Sequence, residues 1–100
     1  MPSRQFITDT RTFAKKGDAH EVFRVMLNKY DPGHRLTETD SIDLMALLKH
    51  HTEYSAKIGV GVSYLAVMRN QFNTQSFQIV RIDGSTDDFS YKHCITPKKN

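Results

Sequence analysis

The feature that most narrows the fold of this chain is a stripe of apolar residues at helical spacing. Ala19, Val22, Phe23, Met26, Leu27 and Tyr30 occupy positions i, i+3, i+4, i+7, i+8 and i+11, which is one face of a helix with 3.6 residues per turn. A strand alternates its side chains and could not bring these six together. Burying each of the larger ones is worth roughly 1.5–3 kcal/mol, so the stripe is expected to be core. Asp18 reads as the N-cap, with Glu21 three residues on completing a capping-box-like pair, and Asp31-Pro32-Gly33 ends the helix.

A second helix is expected from Thr39 or Asp40 to about His50, and its wide apolar arc of Ile42, Leu44, Met45, Leu47 and Leu48 calls for burial between the sheet and another element. Thr52 to Lys57 reads as an irregular turn leading into Gly59-Val60-Gly61, where two glycines mark tight backbone geometry. Three strand-like runs follow: Val62 to Met68, Ser76 to Ile82, and Asp87 to Ile95 with a bend at Tyr91. In the second run Phe77, Ile79 and Arg81 share one face while Val80 and Ile82 share the other. Asp83-Gly84-Ser85 supplies the positive φ of a tight hairpin, so the runs should form an antiparallel meander. Gln5 to Ile7 and Arg11 to Phe13 read as two further short strands. The expectation is an α+β fold: an antiparallel sheet of three to five strands with two α-helices packed on one face.

A length of 100 residues suits one domain spanning 1–100, with Thr96 to Asn100 as a flexible tail. The hydrophobic fraction of 38% and charged fraction of 25% are those of a globular protein rather than a disordered one, so folding should need no cofactor. The apolar-rich stretches Ile42 to Leu48 and Ile58 to Met68 fall far short of the ~20 residues that span a bilayer, and no membrane association is expected. Met1 to Phe6 lacks the apolar region of a secretory signal, and the single Cys94 fits a reducing compartment, so the expected location is the cytoplasm.

The histidines His50, His51 and His93 with Cys94 supply zinc-ligand chemistry, but no Cys-x-x-Cys or His-x-x-x-His pair is present and adjacent histidines diverge on a helix. No metal is expected. Cys94 as a nucleophile would need an electropositive, exposed pocket; beside Ile95 it reads as a small buried hydrophobe. Asp87 and Asp88 project to opposite faces if extended, a poor start for a shared carboxylate site. With no Gly-x-Gly-x-x-Gly, P-loop or Gly-x-Ser-x-Gly pattern, no catalytic residue is expected.

Fourteen Lys and Arg against eleven Asp and Glu leave a net charge of +3. Residues 1–35 carry +3, residues 36–57 carry −2 and residues 58–100 carry +2, so an electropositive face can coexist with an acidic second helix. Cations near aromatic groups are the ingredients of nucleic-acid contact, and here Arg69, Arg81 and Lys92 lie close in sequence to Phe72, Phe89 and Tyr91. The plainer reading is a core of aromatics with solvated cations.

The C-terminal half carries Lys57-Ile58-Gly59-Val60-Gly61, then Val80-Arg81-Ile82-Asp83-Gly84, then Asp88-Phe89-Ser90-Tyr91-Lys92-His93-Cys94. In this order and spacing the motifs resemble the DCL family, named for the plant "defective chloroplasts and leaves" protein, over roughly Phe23 to Ile95. The resemblance implies a link to RNA, since plant members are associated with plastid ribosomal RNA maturation and a similar domain occurs in the largest subunit of plant-specific RNA polymerases. It implies no catalytic residues. Val60, Thr52 and His93 depart from the usual plant pattern of Cys, Pro and a non-basic residue at those places.

The resulting expectation is a non-enzymatic, RNA-binding accessory factor in RNA processing, ribosomal RNA included. Lys57, Arg69, Arg81 and Lys92 are the expected phosphate contacts and Tyr91 the stacking platform. For Arg81 the stronger reading is an ion pair with Asp88 across adjacent strands, joined by the Ser90 and Tyr91 hydroxyls. The alternative is a protein-interaction module docking on an RNA-handling enzyme or polymerase through the second helix and its acidic residues Glu38, Asp40 and Asp43. RNA and protein are thus the two partner classes; the oligomeric state is not encoded in these patterns.

Overall fold

The structure, a computed structural model, describes residues 5–96. Its elements in chain order are β1 (Phe6–Ile7), β2 (Thr12–Phe13), α1 (Lys16–Asn28), α2 (Glu38–Leu48), α3 (Tyr54–Ile58), β3 (Val62–Arg69), β4 (Gln75–Arg81), β5 (Thr86–Phe89) and α4 (Tyr91–Ile95). β1 and β2 form their own antiparallel ribbon, and β3-β4-β5 form the expected antiparallel meander. The large sheet therefore has three strands. The tail beyond Thr96 lies outside the described residues.

The register decides what each face of the meander does. Leu65 pairs with Ile79, Val67 with Phe77, and Phe77 with Phe89. Side chains directly opposite one another share a face, and all five are buried. Against them pack Phe23 and Leu27 of α1, Leu44, Leu47 and Leu48 of α2, and Cys94 and Ile95 of α4. The helices thus cover one face, as the sequence predicts. Among the described residues no helix is long and apolar enough to cross a membrane.

Four local expectations need correction. α1 starts at Lys16 with Lys15 as its N-cap and no capping side chain, so Asp18 lies in the first turn, where its charge complements the helix dipole instead of capping it. Glu21 reaches forward to Arg24, with a 2.6 Å contact, rather than back to the cap. Thr52 to Lys57 is largely helical: Tyr54 and Ile58 of α3, four residues apart, both pack on the core. The third strand ends at Phe89, and Tyr91–Ile95 is a helical turn whose buried residues Tyr91, Cys94 and Ile95 fall at i, i+3 and i+4. Over five residues, helical and extended patterns place almost the same apolar residues inward, which is why period alone misassigned the segment.

The sheet edges are both protected. The segment Gly33 to Leu36 runs along β3, with Gly33 N–H donating to Val67 O at 2.7 Å, Leu36 N–H to Leu65 O at 3.0 Å and Val67 N–H to His34 O at 3.0 Å. On β5, Asp88 N–H donates to the Asp87 carboxylate at 2.8 Å, and Asp88 O accepts from Lys57 Nζ at 2.8 Å.

Candidate nucleic-acid interface

The five residues singled out in the sequence separate into three groups. Lys57 and Arg81 converge on Asp87, whose Oδ2 lies 3.2 Å from each cation. Arg81 also donates through Nε to Lys57 O at 2.9 Å and through Nη1 to Ser85 Oγ at 3.2 Å. Both cations are mostly covered and fasten α3 to the β4–β5 hairpin. The expected partner of Arg81, Asp88, is thereby corrected to Asp87. The register explains it: Asp87 opposes Ile79, on the same face as Arg81, while Asp88 opposes Gln78 on the other. The Ser90 and Tyr91 hydroxyls take no part among the described hydrogen bonds. Partial burial pushes the Asp87 carboxyl up, but the Lys57 hydrogen bond and charge, the Asp88 N–H and Arg81 together hold it below the usual carboxylate range.

Arg69 is exposed at the far end of β3, where its Nη1 donates to Asn73 Oδ1 at 2.9 Å. Lys92 is exposed on α4 and has no described ion-pair partner. Tyr91 is only 7% exposed, with its ring edge-on to Phe77 at 6.1 Å. It is a core residue, so the expected stacking platform is not at this position.

Lys57, Tyr91 and Lys92 nevertheless line one cleft, of about 830 Å³, where the ends of β4 and β5 meet the segment before α3 and the start of α4. His51 and His93 face each other there with ring centroids 4.6 Å apart. Glu53 N–H donates to His51 Nδ1 at 2.9 Å, and His93 Nε2 lies 2.8 Å from the Thr52 hydroxyl. Partial burial, then the neighbouring His93 and Lys57, push His51 below the ordinary imidazole value, with Glu53 and Asp87 opposing. Cys94 is buried behind the cleft, its thiol pushed up to about 12 by desolvation, which leaves it inert as a nucleophile. Among the described residues, no three His, Cys, Asp or Glu side chains are placed to hold a metal ion.

A second surface was missed in the sequence. The face of the meander away from the helices carries Tyr64, Met68, Gln78 and Val80, all only partly covered. On it the Arg35 guanidinium lies over the Tyr64 ring, 3.7 Å from its centroid. The strap along β3 holds Arg35 there through the bridge Arg35↔Ala66. At one end of this face Ile82 is 71% exposed. The available signal was the alternation in β3: if Leu65 and Val67 point inward, Tyr64 must point outward.

The acidic flank of α2 is largely occupied internally. Asp43 is nearly buried and lies 3.0 Å from Arg11 Nη2. Asp40 accepts from Tyr30 Oη and pairs with Lys29, both at 2.6 Å. Glu38 alone of the three has no described side-chain partner.

Comparison with known proteins adds a context. The family described as "Protein of unknown function (DUF3223)" matches residues 24–95. The chain is 44% identical over 70 residues to "Protein DCL, chloroplastic" of Solanum lycopersicum, covering 67% of this chain and 31% of that one. It is 34% identical over 71 residues to "DNA-directed RNA polymerase IV subunit 1" of Arabidopsis thaliana, covering 70% of this chain and 5% of that one. The chain thus spans less than a third of the length of either plant protein. A solution NMR structure of an uncharacterized protein from Rhodospirillum rubrum superposes with a TM-score of 0.84 at 40% identity, covering 94% of this chain and 91% of the other.

Proposed function

The chain belongs to the DUF3223 family and is related to the plant DCL protein, and from that premise we propose that it is a non-enzymatic module that binds single-stranded RNA on the open face of its sheet. The observation that carries this reading is the Arg35–Tyr64 stack. Unpaired bases are held by stacking on aromatic rings and on guanidinium planes. Arg35, held over Tyr64, offers its guanidinium to a base together with a positive charge for the adjoining phosphate. Met68, Val80 and exposed Ile82 extend the surface with apolar area for further bases. The occurrence of a related segment in an RNA polymerase subunit agrees with an accessory role in RNA handling, ribosomal RNA processing included. A buried, unpaired thiol suits the reducing cytoplasm, where we place the protein.

On this reading the phosphate contacts shift from Lys57 and Arg81, which are bound to Asp87, to Arg35, with Arg69 as an outlying cation, while Lys92 lines the cleft. Fluorescence anisotropy against labelled single-stranded RNA and duplex DNA of equal length tests it. Single-stranded RNA should bind more tightly. Tyr64→Ala removes the ring that holds the Arg35 guanidinium in place and should cost about 1 kcal/mol of binding. Arg35→Ala should also lower the salt slope by about 0.7, because one phosphate fewer is neutralised. Equal binding by the wild type and both variants would remove the sheet face from consideration.

A further inference from the structure

We propose that the cleft containing His51, His93 and Lys92 is a separate site for a terminal phosphate group, one carrying a single ester link or none. One hydrogen bond fixes where the proton of His51 sits. A backbone N–H can only donate, so the 2.9 Å bond from Glu53 commits the lone pair of His51 Nδ1 and puts the proton of the neutral ring on Nε2. A metal ion needs a free ring lone pair, which this tautomer lacks. An oxyanion needs N–H donors, which it has.

His93 completes the pattern. Its Nε2 is held by the Thr52 hydroxyl at 2.8 Å, and an anion nearby favours the forms in which Nδ1 carries a proton, either with Thr52 donating or as the imidazolium. Lys92 adds an ammonium that no described carboxylate engages, and the exposed Ser90 hydroxyl lines the same wall. Lys57 is already on Asp87 and Asp88 O. Glu53 and Asp88 also line the cleft, so at neutral pH its fixed charges cancel. A terminal phosphate suits such a donor-lined site better than a diester link, because it carries about −1.5 to −2 charges at pH 7 and has a third free oxygen to accept a hydrogen bond. This site is independent of the sheet-face reading.

The test follows the imidazole nitrogen resonances of His51 and His93 during titration with inorganic phosphate, and with one short single-stranded RNA bearing either a 5′-phosphate or a 5′-hydroxyl. Expected at neutral pH are saturable shifts of both rings with inorganic phosphate and, of the two RNAs, with the phosphorylated one only. Lys92→Gln, at an exposed position that leaves the core untouched, should weaken phosphate binding about tenfold, the worth of one charged hydrogen bond. Imidazoles unmoved by inorganic phosphate, shifts of equal non-zero size with the two RNAs, or an unaltered affinity in Lys92→Gln would each overturn the proposal. Response to inorganic phosphate and phosphorylated RNA identifies a chain end as a ligand, and response to inorganic phosphate alone identifies a small phosphate compound. Failure of sheet-face binding would leave all these outcomes unchanged.

Discussion

Asp87 shows how one carboxylate can fix three segments of a small domain. It holds Lys57 of α3 and Arg81 of β4 at 3.2 Å each while its other oxygen accepts from Asp88 N–H. Replacing it with alanine strands two mostly covered cations. The expected cost is about 1–2 kcal/mol, at the low end for buried charges because Asp87 keeps a third of its side chain in water. Urea denaturation of Asp87→Ala measures it, and a change under a few tenths of a kcal/mol would mean that the network is ornamental. The partnership was only half legible. The sequence brought Arg81 to a carboxylate on the adjacent strand, but choosing Asp87 over Asp88 requires the register set by the Asp83-Gly84 turn. His51 makes a pH prediction at the same scale. Its ring is held below its ordinary 6.5 in the folded protein, so below pH 6.5 the unfolded chain binds more protons than the folded one. Its contribution to stability is full above that pH and declines as the pH falls through the lower, folded value. Thermal melts should show this decline, and His51→Gln should flatten it.

Among the elements, α1, α2 and the first two meander strands were legible because each is long enough to show its period, whereas the four-residue β5 was read too far along the chain. The stripe from Ala19 to Tyr30 and the alternation of Phe77 and Ile79 fix the inward faces without knowledge of tertiary structure. The short helices α3 and α4 were not legible as helices, since five residues offer little more than one turn of evidence. The start of α2 depends on Thr37, whose hydroxyl accepts from Asp40 N–H at 3.3 Å. Thr37→Ala should therefore destabilise the domain by about 1 kcal/mol, read as a lower denaturant midpoint at unchanged slope. Gly61 shows a complementary limit. Its φ of 119° disfavours a side chain, and an added Cβ would come within 2.7 Å of Ile82 Cδ1. The sequence signalled tight geometry there but not the neighbour that causes it.

For the whole molecule, the decisive fact is that helices cover only one face of the sheet. That was expected from the sequence, but the identity of the covered face was not. The outcome placed Tyr64 on the open face, while Tyr91, on α4, packs into the core at the edge of the cleft. The contact between Tyr64 and Arg35 arises because the segment after α1 runs along the edge of β3, a path that no periodicity encodes. The cleft likewise joins residues near position 51 to residues near position 93, distant in sequence and joined by the packing of α4 against α2.

Single-stranded RNA bound on the open sheet face would leave its footprint there. Amide chemical-shift mapping reads that footprint, with a short unphosphorylated single-stranded RNA titrated into labelled protein. The largest shifts should fall on Arg35, Tyr64, Met68, Gln78 and Val80. Shifts confined to α1 and α2, or none at low salt, would contradict that placement and point to a protein partner instead.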